Sequence, residues 1–379
     1  MTVGFPRRPP GHWYGVGPLH ARRTVAGILA AGVCLALLAT TPGPALGLPA
    51  DGAGRVHGKV HWQAGTVHPG TPIAAQGRTP KGGSRVSLQV RVPGGWRTFG
   101  TARSSPTGLF AISGSLDWYG THTIRVATAG RHAFRRSTTA TVLPTYTPRG
   151  DPADHTFTDA DLGVRDSYDP CKTVRYAVNT DDVGPAQLLM VQLGMAQVSA
   201  ATGIRVRYVG VSHQVPFLTD LTRLPPGQDL LVAWGTRQEV PTFLSTAAVG
   251  LGGPVWVRNA SDGRGRPVTR ILESAVVLDS DAYADPTAYS QSYLSTQPTW
   301  GEVILHELGH AFGLDHVQAP DEIMYPDTGA GRYPDGTFRG QYDAGDLAGL
   351  ATNGLGQGCF GPVRHREAAA PLAAPPPQP

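Results

Sequence analysis

"HELGHAFGLDH", residues 306–316, decides how this chain is read. Three histidines and a glutamate fall within it, and "EIMYPD" (322–327) follows closely. On a helix, residues i and i+4 share a face, so His306 and His310 project side by side. Gly313 permits the left-handed turn that ends a helix, and the chain folds back to offer His316 from outside it. Three converging imidazoles leave a tetrahedral zinc one open position, the layout of a catalytic site and not of a closed structural one. Glu307, beside the first ligand, points wrongly to bind the same ion but is near enough to reach its water. The ion would lower the pKa of that water from 15.7 towards about 7. Glu307 would take its proton as general base and hand it to a leaving amine. The metal would stabilise the oxyanion on the attacked carbonyl. A bare HExxH arises often by chance; the full HExxHxxGxxH needs five positions to agree.

The surrounding pattern supports a mixed α+β domain. "TWGEVILHELGHAFG" (299–313) reads as a helix with Thr299 as N-cap and Glu302 completing a capping box. "AQLLMVQLGMAQVSAATG" (186–203) reads as a second helix, with Leu189, Leu193 and Ala196 on one face and Gly203 as its stop. "TVRYAVN" (173–179), "IRVRYVG" (204–210), "DLLVAWG" (229–235), "GPVWV" (253–257) and "ESAVVLDSD" (273–281) are strand candidates.

The run "VILHELGHAFGLDHV" followed by "EIMYPD" resembles the metzincin metallopeptidases, and among them the matrixins. The resemblance implies a twisted mixed sheet with an active-site helix over residues 157–360. It implies His306, His310 and His316 as zinc ligands, Glu307 as catalytic acid/base and Met324 as the Met-turn methionine beneath the ligands. A looser likeness extends over 173–360, through "RYAVN", "ATGIRVRYVG", "VVLDSD", "DAGDLAGL" and the final "GC". Matrixins often hold calcium near the positions of Asp279 and Asp281, which makes these carboxylates candidate calcium ligands; acidic strand ends are more often simply solvated. The chain departs from the family in three ways. Pro326 is followed by Asp327 and Thr328 where Pro-x-Tyr is usual. The preceding domain has no cysteine for a thiol latch, and no second, structural zinc site is matched. Substrate is expected to lie extended along a sheet edge, with "GGPVWV" (252–257) as that edge.

Upstream, residues 51–143 read as an all-β domain. "RVSLQVRV" (85–92), "GWRTFGTA" (95–102), "GLFAIS" (108–113), "THTIRVAT" (121–128) and "TTATVL" (138–143) are short strands separated by glycine-containing turns. The pattern resembles Ig-like repeats of bacterial surface and secreted proteins, which implies a β-sandwich. "PTYTPRGDPADHT" (144–156) reads as a proline-rich linker, and the tail at 361–379 as disordered.

At the N-terminus, Arg22 and Arg23 precede the apolar run "TVAGILAAGVCLALLA" (24–39), and small residues follow. This pattern predicts a cleaved signal over 1–47; a membrane anchor is the competing reading, for which the run is short. Cleavage removes Cys34 and leaves Cys171 and Cys359, expected to pair as one disulfide in an oxidising compartment, or else to remain buried thiols.

Charge divides the chain. Residues 51–150 hold 13 basic and 2 acidic residues, and residues 151–379 hold 15 basic and 26 acidic ones. The expected function is a secreted, zinc-dependent endopeptidase acting on proteins or peptides. No nucleic-acid partner is expected, and no membrane partner after signal removal. The alternative is a cell-envelope-binding protein with a catalytically silent zinc fold, its basic domain docking on anionic cell-wall polymers. A third arrangement lays the basic domain over the acidic one as a lid.

Overall fold

The computed structural model describes residues 59–128, 135–160, 163–216, 223–246 and 248–361, with backbone alone at Tyr14–Gly15 and at 245–246. The rest of the expected signal, and the tail beyond 361, lie outside the described residues. Among the described residues no helix is long and apolar enough to cross a membrane.

The first half is strand-rich. Val60–Gln63, Pro72–Arg78 and Leu109–Ser115 form one sheet; Thr66–Val67, Arg135–Val142, Gly120–Thr128, Arg85–Val92 and Gly95–Arg103 form another. Along Arg85–Val92, Val86, Leu88 and Val90 are buried while Ser87, Gln89 and Arg91 are not, the period of a strand covered on one face. The sheets share a core: Ala75, Phe110 and Ile112 of the first meet Val86, Leu88 and Val126 of the second. Strands 60–63 and 72–78 were not legible in sequence, because "AAQG" carries neither β-branched residues nor clean alternation.

In the second half, one sheet runs in the order Gly250–Ser261, Pro267–Asp279, Leu230–Gly235, Val174–Asn179, Val206–Val211. Its strands are parallel except Gly250–Ser261, which is antiparallel to its neighbour. On the outer side of that antiparallel strand, Tyr14–Gly15 pairs antiparallel with Gly252 and Leu251. Asp166–Tyr168 adds a short parallel pairing to Thr269–Ile271. Helices Gln187–Thr202 and Trp300–Ala311 share one core with the sheet, where Val191, Met195, Ile304 and Leu308 meet Val178, Val232, Trp234 and Val276.

In helix Gln187–Thr202 the face that Leu189, Leu193 and Ala196 share is the exposed one. The helix buries Val191, Met195 and Val198, whereas Leu189 and Leu193 are 54% and 48% exposed and Ala196 is exposed too. The helix is apolar nearly all round, so periodicity could not choose between two apolar stripes. Its stop is as expected: Gly203 takes φ +70° and donates its N–H to Ser199 O.

The segment 144–156 is no free linker. Tyr146 Oη donates to Tyr342 O, the Arg149 N–H donates to Asp343, and Thr156–Phe157 pairs with Leu314–Asp315. Cys171 and Cys359 form a disulfide, with Cα atoms 5.2 Å apart across 188 residues of sequence. It closes the second half from its first strands to its last turn. The first half touches the second at the end of helix Gln187–Thr202: Tyr119 N donates to Ala200 O, Arg97 Nη1 donates to Gly203 O, and the Trp118 indole lies over Gly203.

Candidate metal centre

Helix Trp300–Ala311 starts as its residues dictate. Thr299 Oγ1 accepts from Glu302 N at 3.1 Å, and the Glu302 carboxylate accepts from Thr299 N at 2.8 Å. Burial pushes the Glu302 carboxyl up to about 7. Past the helix, Gly313 takes φ +89°, and a Cβ there would stand 2.0 Å from Asp166 O, so only glycine makes this turn.

The turn returns the chain to the helix face. His306, His310 and His316 point their Nε2 atoms at one another, with separations of 3.0, 3.1 and 3.3 Å. Their other ring nitrogens explain the arrangement. His306 Nδ1 donates to Ile323 O at 2.7 Å and His310 Nδ1 to Leu314 O at 2.9 Å, since a carbonyl can only accept. In neutral rings this leaves bare Nε2 lone pairs facing one another, an unfavourable arrangement unless a cation sits between them. Burial holds His306 down to about 3 and His310 well below its ordinary value, each lowered further by neighbouring imidazoles. His316, half-buried, is lowered as well, again by burial first. Zinc–nitrogen bonds of about 2.0–2.1 Å in a tetrahedron place the donors about 3.3–3.4 Å apart. The donor set fits zinc, and among the described residues it is the one group of three or more His, Cys, Asp or Glu side chains gathered tightly enough for a metal ion.

Glu307 is fully buried, and neither carboxylate oxygen has a hydrogen-bond partner. Burial raises its carboxyl well above the ordinary range. A buried carboxylate left unpartnered beside the histidine cluster does not stabilise the fold where it stands. Strand Gly250–Ser261 lies directly against it. A Cβ on Gly250 would come within 2.6 Å of Oε1, and one on Gly252 within 2.4 Å of the Glu307 carbonyl oxygen. Sequence reading included Gly252 in its edge but missed this packing reason, although the "GLGG" run was its visible trace.

Met324 is buried with its sulfur against Gly309, between the two helical histidines in sequence, where a Cβ would meet Sδ at 2.3 Å. What holds its loop was also missed. Asp346 accepts from Ile323 N at 2.7 Å and Met324 N at 3.2 Å, while its own N–H donates to Glu322 Oε2 at 2.9 Å. Since Ile323 O receives the His306 ring, Asp346 is two hydrogen bonds from the histidine cluster. Burial, then the neighbouring Glu322, raises the Asp346 carboxyl. Arg149 completes the frame: it bonds Asp343 and Gly331 O, pairs with Asp321, and its guanidinium lies 3.5 Å from the centre of the Tyr333 ring. At the departure from Pro-x-Tyr, Thr328 is buried and shares a hydrogen bond with Tyr289 Oη at 3.0 Å.

The calcium expectation at Asp279 and Asp281 finds no support. Asp279 Oδ1 accepts from Asp281 N and Ala282 N, and Oδ2 accepts from Arg237 Nε at 2.8 Å. Asp281 accepts from Arg237 N at 2.8 Å. Three of their four oxygens are taken by a helix cap and an arginine, which a cation would have to displace.

Comparison with known proteins bears on the same region. No curated protein matches the chain. Among solved structures, LPMO10B from Micromonospora aurantiaca shares 10% identity at a TM-score of 0.17, covering 21% of this chain and 54% of that one. A family 39 glycoside hydrolase from Bacteroides cellulosilyticus WH2 shares 12% at a TM-score of 0.18, covering 47% and 44%. The chain thus spans about half the length of each, and neither likeness carries an argument. Residues 266–347, which include all three histidines, match the Peptidase_M10 family, described as Matrixin, and this supports a matrixin-like metallopeptidase domain in this chain.

Proposed function

We propose that this protein is a secreted zinc-dependent endopeptidase, with His306, His310 and His316 as metal ligands and Glu307 as catalytic acid/base. One observation carries the reading: three imidazoles turn their Nε2 atoms towards one point, with a buried, unpartnered carboxylate next to the first of them in sequence. Zinc, when bound there, supplies Lewis-acid polarisation of the carbonyl and acidifies water.

The chain's own groups do the rest. The Nδ1–H bonds to Ile323 O and Leu314 O fix the tautomer and orientation of two rings. Strand Gly250–Ser261 offers its outer edge to an extended peptide, and the antiparallel pairing of Tyr14–Gly15 there supports that use. Gly250 and Gly252 keep this strand close to Glu307, so a paired backbone lies near the base. Glu307 takes the proton of the attacking water on a carboxylate oxygen and returns it to the leaving nitrogen. With the Glu307 carboxylate and the donor set intact, a silent zinc fold is the less favoured reading. Docking of the basic domain on anionic wall polymers is compatible with catalysis and would localise it.

Purified protein should carry one zinc per chain and cleave an unfolded protein, with cleavage lost on chelation and restored by zinc. Zinc-loaded protein that leaves a diverse peptide library intact would reject the reading.

A further inference from the structure

A cavity of about 340 Å³ opens at the sheet's own discontinuity. Strand Pro267–Asp279 pairs with Asp166–Tyr168 up to Ile271 and with Leu230–Gly235 from Ser274 onward. Where it exchanges neighbours the sheet parts, and the gap is lined by Lys172, Arg175, Arg270, Asp169, Asp229 and Tyr168 among others.

The charges in this gap do not cancel. Asp229 is taken up by Arg175, which binds it through its backbone N–H, Nε and Nη2 at 2.8–2.9 Å. Asp169 accepts from the N–H groups of Cys171 and Phe360. Lys172 and Arg270 are left with no carboxylate partner among the described residues. Arg270 Nε is buried and has no acceptor at all. Arg270 also stands directly opposite Arg258 on the neighbouring antiparallel strand. Like charges placed so destabilise a sheet unless an anion lies near them. All this occurs in the acidic half of the chain, where excess cation is least expected.

We propose that this gap is an anion site for a phosphate group, held between Arg270 and Lys172. Phosphate offers acceptors to a guanidinium fork and to an ammonium at once, and supplies the acceptor that Arg270 Nε lacks. The site lies apart from the histidine cluster, with Tyr168 on its wall packed against Phe312 at the end of the active-site helix.

The test is thermal unfolding of the full chain in inorganic phosphate or glycerol phosphate, against sodium chloride of equal ionic strength. A saturable rise in Tm is expected with phosphate, weakened roughly tenfold or more by Arg270→Gln. Lys172→Gln, at an exposed position, should weaken it as well and guards against misfolding of the first variant. An equal response to glycerol phosphate assigns the site to phosphate esters; a response to the inorganic ion alone assigns it to free phosphate. Phosphate bound instead at the histidines would survive both substitutions, and that result overturns the proposal. So does a wild-type response no larger than that to chloride.

Discussion

Between residues 59 and 143, no Asp, Glu, Lys or Arg among the described residues is buried; the interior is Ile73, Val86, Leu88, Val90, Phe110, Ile124 and their neighbours. Among its described residues the second half buries ten carboxylates: Asp166, Asp169, Asp262, Glu273, Asp279, Glu302, Glu307, Glu322, Asp343 and Asp346. Burying a carboxylate is unfavourable unless donors surround it. Most of these are so surrounded: Asp279 by a helix cap and Arg237, Asp346 by loop amides, Asp343 by Arg149 and Tyr333. Glu307 alone of the ten has both oxygens without a hydrogen-bond partner. The contrast separates a half that buries none of these charged side chains from one that buries ten carboxylates, one of them with no hydrogen-bond partner. It also weakens the idea of a lid drawn by opposite charge, because part of the acidic excess is internal and already paired.

That contrast can be tested by substitution. His310→Ala should abolish both metal binding and cleavage, read by elemental analysis and peptide turnover. Glu307→Gln should retain the metal while turnover falls about 10²–10⁴-fold, the usual contribution of a general base; equal loss of metal in both variants would erase the distinction between ligand and base. Asp346→Ala leaves Ile323 N and Met324 N without acceptors, at about 1–3 kcal/mol each, and should lower zinc affinity by about 10–100-fold, measured by competition with a chelator.

Glu302→Gln tests a titration. The folded pKa, about 7, lies above the ordinary 4.5, so the folded state holds the proton more tightly than the unfolded chain. Stability contributed by this group is therefore full below about 4.5, falls as pH rises towards about 7, and is level beyond. The substitution should remove that slope in denaturant titrations across this window. Leu88→Ala, in the first half, should cost about 2–5 kcal/mol of that half's stability yet leave turnover per folded molecule almost unchanged. A large loss of turnover would show that the halves are functionally coupled.

Reading the residues in order had uneven success, for physical reasons. Strand Arg85–Val92 and helix Trp300–Ala311 were legible because each carries a one-sided pattern, the first at period two and the second with a capping box and histidines at i and i+4. Helix Gln187–Thr202 was found without its buried side, since Leu189 and Leu193 look as apolar as Val191 and Met195. Segment 144–156 looked unstructured because Tyr146 and Arg149 find their partners nearly 200 residues away.

The chain's order of residues by itself determined the local facts: which helix carries the histidines, where it starts, that Gly313 ends it, and that Cys171 and Cys359 are available to pair. Only the tertiary structure decided which carboxylates are buried, that Gly250 and Gly252 lie against Glu307, and that Asp346 and Arg149 brace the loop of Met324. Short-range geometry depends on neighbours a few residues apart, whereas burial and long-range hydrogen bonds depend on which distant segments meet, and no local pattern encodes that meeting.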